Sequence, residues 1–130
     1  MRLAVTGGRF YTDKQRVFAK LDEIYEKLPE DEELHVIEGG YRDGADSFAR
    51  QWAKRRIAQG WRVKHTRVDP LWHQYGRAAG PKRNQEIIDD YQPDVLLSFP
   101  GHKGTRDMMH RAEKAGIPII KSEDWIRLED

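Results

Sequence analysis

At 130 residues the chain has the commonest size of one domain, and residues 1–130 read as a single unit because a second domain would leave neither part much core. Hydrophobic residues make up 38% and charged residues 35%, which excludes disorder and gives a densely ionic surface. With 23 Lys and Arg against 22 Asp and Glu the formal net charge is +1, so no global field marks a general nucleic-acid binder, and zero Cys excludes disulfides, thiolate zinc sites and cysteine nucleophiles.

The first apolar run, residues 3–6, reads as a strand that begins almost at the N-terminus. No apolar stretch approaches the ~18 residues that span a bilayer, so a soluble, cytoplasmic protein with no membrane partner is expected. A helix is predicted to start near Thr12, with Gln15 in capping-box spacing. Its inward stripe is Val17, Phe18, Leu21, Ile24, Tyr25 and Leu28, and Pro29 stops it. The acidic stretch 29–33 reads as an exposed loop.

A second strand covers 35–38, and the next helix, Gly44–Ala58, is expected to bury Phe48, Ala49, Trp52 and Ile57. Arg50, Lys54 and Arg55 read as its solvated face, and Gly60 as its C-terminal cap. After a third strand at 62–68 comes a long connection, residues 69–84, of the kind that is often functional. Pro81 suits the first position of a third helix, whose stripe holds Ile87, Ile88 and Tyr91 and, carried backwards, Asn84. A fourth strand at 95–99 leads to a helix from Gly104 and Thr105 that buries Met108, Met109 and Ala112 and stops at Gly116 and Pro118. A fifth strand covers 117–120, and Trp125 with Ile126 forms a final turn or short helix. Five short apolar runs alternating with helical patterns define an α/β fold, Rossmann-like, with a mostly parallel five-stranded sheet and helices on both faces.

In open parallel sheets, ligands bind beyond the carboxyl ends of the strands. Glycine-rich turns fall there three times: Thr6-Gly7-Gly8-Arg9, then Glu38-Gly39-Gly40 through Gly44-Ala45-Asp46, then Pro100-Gly101-His102-Lys103-Gly104-Thr105. A residue without Cβ lets backbone amides approach an anion, and a helix N-terminus offers unpaired N–H groups. The neighbouring Lys103 and Thr105 add a charge and a hydroxyl. Tight turns alone would use glycine too, but three at equivalent places favour a shared site for a nucleotide-like small molecule. Neither a Walker A loop nor a GxGxxG fingerprint is present.

Arg83 and Asn84 lie in the first turn of the third helix, where Arg can grip phosphate and Asn can bond a sugar or base, or else brace the loop. Trp72 and Tyr75 are candidates for base stacking or for core packing. Acid or base candidates are Glu38, Asp46, Asp69 and Asp107, each near a strand end or helix start. No second ligand stands at metal-binding spacing from His73 or His102, so neither a metal nor a cofactor is expected. His65 and His110 are placed on solvent or an edge.

In order, Thr6-Gly7-Gly8-Arg9, Gly39-Gly40 with Gly44-Ala45-Asp46, Trp72, Gly80-Pro81 with Arg83-Asn84, and Phe99-Pro100-Gly101 with Gly104-Thr105 resemble the YspA or YpsA-related branch of the SLOG superfamily. The resemblance implies a Rossmann-like homo-oligomer binding a nucleotide or its derivative at the glycine loops and the Arg-Asn pair, in a family frequent in phages and bacterial conflict systems. Related LOG phosphoribohydrolases carry a Pro-Gly-Gly-x-Gly-Thr-x-x-Glu motif with a catalytic Glu. Here His102 replaces the second Gly and Met108 the Glu, and Asp107 stands about 100° around the helix from that place. The turn at Gly39–Asp46 also resembles that of the DNA-processing protein DprA, which binds single-stranded DNA. Three readings stay open: a nucleotide binder, an N-glycoside hydrolase of nucleoside monophosphates using Glu38, Asp46 or Asp69, and a single-strand nucleic-acid module with Arg42, Arg77, Lys82, Arg83 and Lys103 near its loops.

Overall fold

The computed structural model describes residues 1–125, so the predicted contribution of Ile126 lies outside the described residues. Strands β1 (Arg2–Thr6), β2 (Leu34–Glu38), β3 (Val63–Arg67), β4 (Val95–Ser98) and β5 (Ile119–Lys121) form one all-parallel sheet in the order β3-β2-β1-β4-β5. The helices are α1 (Lys14–Glu26), α2 (Gly44–Ala58), α3 (Trp72–Tyr75), α4 (Ala79–Glu86) and α5 (Lys103–Lys114). A 3₁₀ turn at Gly76–Ala78 joins α3 to α4, and a π-helical turn at Ile87–Tyr91 continues α4.

Alternation along each strand divides the core into two layers, because successive side chains leave opposite faces of a sheet. Leu3, Val5, Leu34, Val36 and Leu97 pack with Val17, Leu21, Ala49 and Trp52 of α1 and α2. Ala4, Ile37 and Leu96 pack on the other face with Ile87, Ile88, Met108 and Ala112. No helix among the described residues is long and apolar enough to cross a membrane.

The helix ends follow local chemistry, with some shifts from expectation. The α1 cap is Asp13 rather than Thr12: its carboxylate accepts the Arg16 N–H at 3.0 Å. Gly60 closes α2 at a positive φ of 85°. Ile57, expected inside, is exposed instead, while Ala53 takes the inward place one turn earlier. Phe48 and Met109 are half-buried rather than fully buried. The third predicted helix begins at Ala79, not Pro81, and part of the supposed loop before it is α3. Trp125 is buried and donates its indole N–H to the Ser98 carbonyl at 2.9 Å, fixing the end of the described chain against β4.

This strand order reverses direction between β1 and β4. Chain leaving β1 runs through α1 to β2 on one side, and chain leaving β4 runs through α5 to β5 on the other. The crevice between those two carboxyl ends is the position such sheets use for ligands.

Candidate functional site

The turns leaving β1 and β4 touch through their backbones. Gly8 donates its N–H to the Pro100 carbonyl at 2.9 Å, and Ala45 at the start of α2 donates to the Gly8 carbonyl at 3.2 Å. A Cβ on Gly101 would stand 2.7 Å from the Gly8 nitrogen and 2.1 Å from Thr105 Oγ1, so only glycine lets these turns close on each other. Contact between the turns therefore explains part of the glycine pattern. It also corrects one expectation: the Gly8 amide, read as free to hold phosphate, is already satisfied.

Around this junction lies a cavity of about 280 Å³. Gly7, Gly8, Arg9 and Phe10 line it from the turn after β1, Gly39, Tyr41 and Asp46 from the β2 turn and α2, Arg83, Asn84 and Ile87 from α4 and its extension, and His102 to Thr105 with Met108 from α5 and its N-cap. The three turns and the Arg-Asn pair thus meet at one place. Of the other residues expected there, Pro100 and Gly101 are buried behind the lining, as is Gly40.

Helix α5 starts with its end uncapped by a side chain. The side chain of the N-cap residue His102 makes no capping bond, and the first intrahelical bond runs from the Arg106 N–H to the His102 carbonyl at 2.9 Å. The opening amides of α5 belong to Lys103, Gly104 and Thr105, all on the cavity wall, and carry the partial positive charge of a helix N-terminus.

Arg83 is the cation of the site, and only 7% of its surface is exposed. Its Nη1 donates to the Gly39 carbonyl and its Nε to Asn84 Oδ1 at 2.9 Å, both neutral acceptors. A Cβ on Gly39 would come within 2.5 Å of that Nη1, so the glycine is the seat of the guanidinium. Asn84 lines the cavity and also braces Arg83: its Nδ2 donates to Asp107 Oδ2 at 2.9 Å and to the Gly104 carbonyl at 3.3 Å. Asp107 is in turn gripped by Arg111 Nε at 2.8 Å, and these contacts hold its carboxyl below its ordinary range despite partial burial.

The carboxyl that faces the cavity is Asp46. Burial and the nearby Glu38 push its pKa up to about 7, against the pull of Arg83, the Tyr41 N–H at 3.3 Å and Arg50. Glu38 itself lies beneath the turn and does not line the cavity, which removes it as a candidate acid or base. Fully buried, it accepts the Gly40 N–H at 2.6 Å, pairs with His65 Nε2 at 2.8 Å and lies 3.5 Å from Arg50 Nε. Arg50 also donates to the Tyr41 carbonyl through Nη1 at 3.1 Å and through Nη2. Far from joining a solvated face with Lys54 and Arg55, Arg50 ties the β2 turn to α2. His65 does sit on edge strand β3, but its ring turns inward to Glu38.

Asp69 is exposed, pairs with Arg67 Nε at 2.6 Å and stays outside the cavity. Trp72 and Tyr75 are also exposed and do not line it; the Lys82 ammonium lies 4.7 Å from the Tyr75 ring centroid. Sequence reasoning missed Phe10 and Tyr41. For Phe10 the signal was an apolar side chain placed directly after the glycine turn and outside the helical stripe that follows. Among the described residues no group of three or more His, Asp and Glu is arranged to hold a metal ion.

Two comparisons with known proteins bear on this site. Residues 1–75 match the family described as "YAcAr: YspA, cpYpsA-related SLOG family", a span that carries the β1 and β2 turns but ends before Arg83 and α5. The chain is also 36% identical over 125 residues to the Gene 61 protein of Mycobacterium phage D29, covering 95% of this chain and 97% of that protein.

Proposed function

The chain belongs to the YspA, cpYpsA-related SLOG family, and from that premise we propose that its cavity binds the phosphate-bearing part of a nucleotide or nucleotide derivative. The observation that carries this reading is Arg83: a buried guanidinium bonded only to neutral oxygens, on the same cavity wall as the uncapped start of α5. A phosphate would add charge-assisted bonds to this buried guanidinium while drawing on the helix dipole. Lys103 supplies an exposed charge and Thr105 a buried hydroxyl, whereas Gly7 and Gly8 shape the wall.

Asp46 favours a second reading, in which the bound nucleotide is hydrolysed at its N-glycosidic bond. A cavity carboxyl whose proton leaves near neutral pH is poised to hand that proton to a departing base. The LOG mechanism is not available, because Met108 lines the cavity where that motif has Glu and Asp107 is committed to Asn84 and Arg111.

Isothermal titration of the purified protein with ribose 5-phosphate, adenosine 5′-monophosphate and unphosphorylated adenosine tests the binder. Both phosphorylated probes should bind and adenosine should not, and Arg83→Gln should weaken the phosphorylated probes by about 10- to 100-fold, the worth of one bond to a charged group. Equal binding of adenosine, or a silent Arg83→Gln, would overturn the proposal. Sustained release of adenine from the monophosphate, lost in Asp46→Asn, would establish the second reading.

A further inference from the structure

We propose that the ring of Phe10, at the mouth of the cavity, is the stacking platform for the base of the bound ligand, so that the site selects nucleoside phosphates over bare phosphosugars. The inference rests on the phosphate-binding reading and extends it from the anion to the rest of the ligand.

The first argument is size. A cavity of about 280 Å³ falls just under the roughly 300 Å³ at which pockets begin to hold drug-sized ligands. With phosphate against Arg83 and the start of α5, a phosphosugar occupies the cavity, and a planar base attached to it emerges at the rim. Phe10 belongs to both places. It lines the cavity and is 75% exposed, the most open of the large apolar side chains among the described residues.

The second argument is that this open ring stands on an anchored backbone. On one side of it, the Gly8 carbonyl accepts both the Tyr11 N–H at 3.1 Å and the Ala45 N–H at 3.2 Å. On the other, the Tyr11 hydroxyl bonds Asp124 at 2.5 Å and its ring packs on Phe99 with centroids 5.4 Å apart. A turn held at both ends could have folded its apolar residue inward; here Phe10 points out while Tyr11 takes the inner place. The Arg9 guanidinium lies over one face of the ring, 5.0 Å from the Phe10 centroid, so a base would stack on the other face. Stacking on a phenyl ring is tolerant of base identity but grows with base area, which predicts a preference for purines.

The test compares wild type and Phe10→Ala by isothermal titration against ribose 5-phosphate, adenosine 5′-monophosphate and uridine 5′-monophosphate, with sedimentation velocity run on both proteins. Wild type should bind the adenosine nucleotide more tightly than ribose 5-phosphate, with the uridine nucleotide between them. Phe10→Ala should lose about 10- to 100-fold toward the adenosine nucleotide, the worth of one base–aromatic stack, and far less toward ribose 5-phosphate; Phe10→Trp should restore the loss. Equal wild-type affinity for ribose 5-phosphate and the nucleotides overturns the base platform while leaving the phosphate site standing. Failure of wild type to bind any phosphorylated probe overturns both. A Phe10→Ala protein that keeps its nucleotide affinity overturns the platform whether or not its sedimentation changes, and if the sedimentation does change, the ring is assigned to contact between copies of the chain.

Discussion

Replacing Asp46 with Asn exposes the electrostatic design of the cavity through its effect on stability. The wild-type carboxyl is raised from 3.8 to about 7 by burial and by Glu38, a preference for the protonated form of about 4 kcal/mol. The folded state therefore holds this proton at pH values where the unfolded chain has released it. Between about pH 4 and pH 7 the unfolded chain binds fewer protons than the native protein, and stability falls as pH rises by about 1.4 kcal/mol per pH unit. Below that window both states are protonated, and above it both are ionised, so the contribution is flat on either side. Asparagine cannot ionise but can still accept the Tyr41 N–H through its amide oxygen. Urea denaturation of both proteins from pH 4 to pH 8 should show Asp46→Asn gaining on wild type by about 4 kcal/mol across the window and by nothing further above it. Glu38→Gln should lower the upper edge of the window, and so narrow it, by removing the neighbouring negative charge. A stability difference that stays level from pH 4 to pH 8 would refute the argument, because it would mean that Asp46 ionises as freely in the folded protein as in the unfolded chain.

The same proton governs anion binding: ionisation of Asp46 places a negative charge beside Arg83, so affinity for sulfate, which keeps its charge over this range, should fall as pH rises through about 7 and stay constant in Asp46→Asn. Gly39→Ala would put a Cβ 2.5 Å from Arg83 Nη1, and calorimetry should show phosphate affinity falling by at least the about 10-fold of a weakened charged bond while the melting temperature changes little, since the guanidinium can swing away. Asp107→Ala should also lower phosphate affinity, through loss of the Asn84 brace, without moving the pH at which Asp46 ionises. Trp52→Ala, which empties a fully buried site and deletes the indole bond to Asp22 at 2.8 Å, should cost about 3–5 kcal/mol in chemical denaturation.

What could be read from the sequence divides according to the range of the forces involved. Strand positions were legible because apolar runs between glycine turns are local, and the bounds of α2 follow from the glycines at either end of it. The start of α1 slipped by one residue because Thr12 and Asp13 are both competent caps, and only the backbone path decides between them. The connection from β3 hid two helical pieces: Trp72, His73, Gln74 and Tyr75 are all exposed, so α3 has no apolar period to find. Pro81 misled because proline fits any early position of a helix; here it is the third residue of α4, where an N–H would still lack an intrahelical partner. The meeting of the three turns was legible for a topological reason, since parallel βα units put all such turns at one edge. The fate of each polar group in that edge was not. Glu38 chose His65, 27 residues away, and Asn84 chose Asp107, 23 residues away. Nothing within either local segment distinguishes a carboxylate or amide satisfied by a distant side chain from one left facing a ligand. Arg83 marks the limit of what pairing inside the protein achieves: its two hydrogen-bond partners are neutral, and while Asp46 keeps its proton the guanidinium's charge is left for an anionic ligand to use.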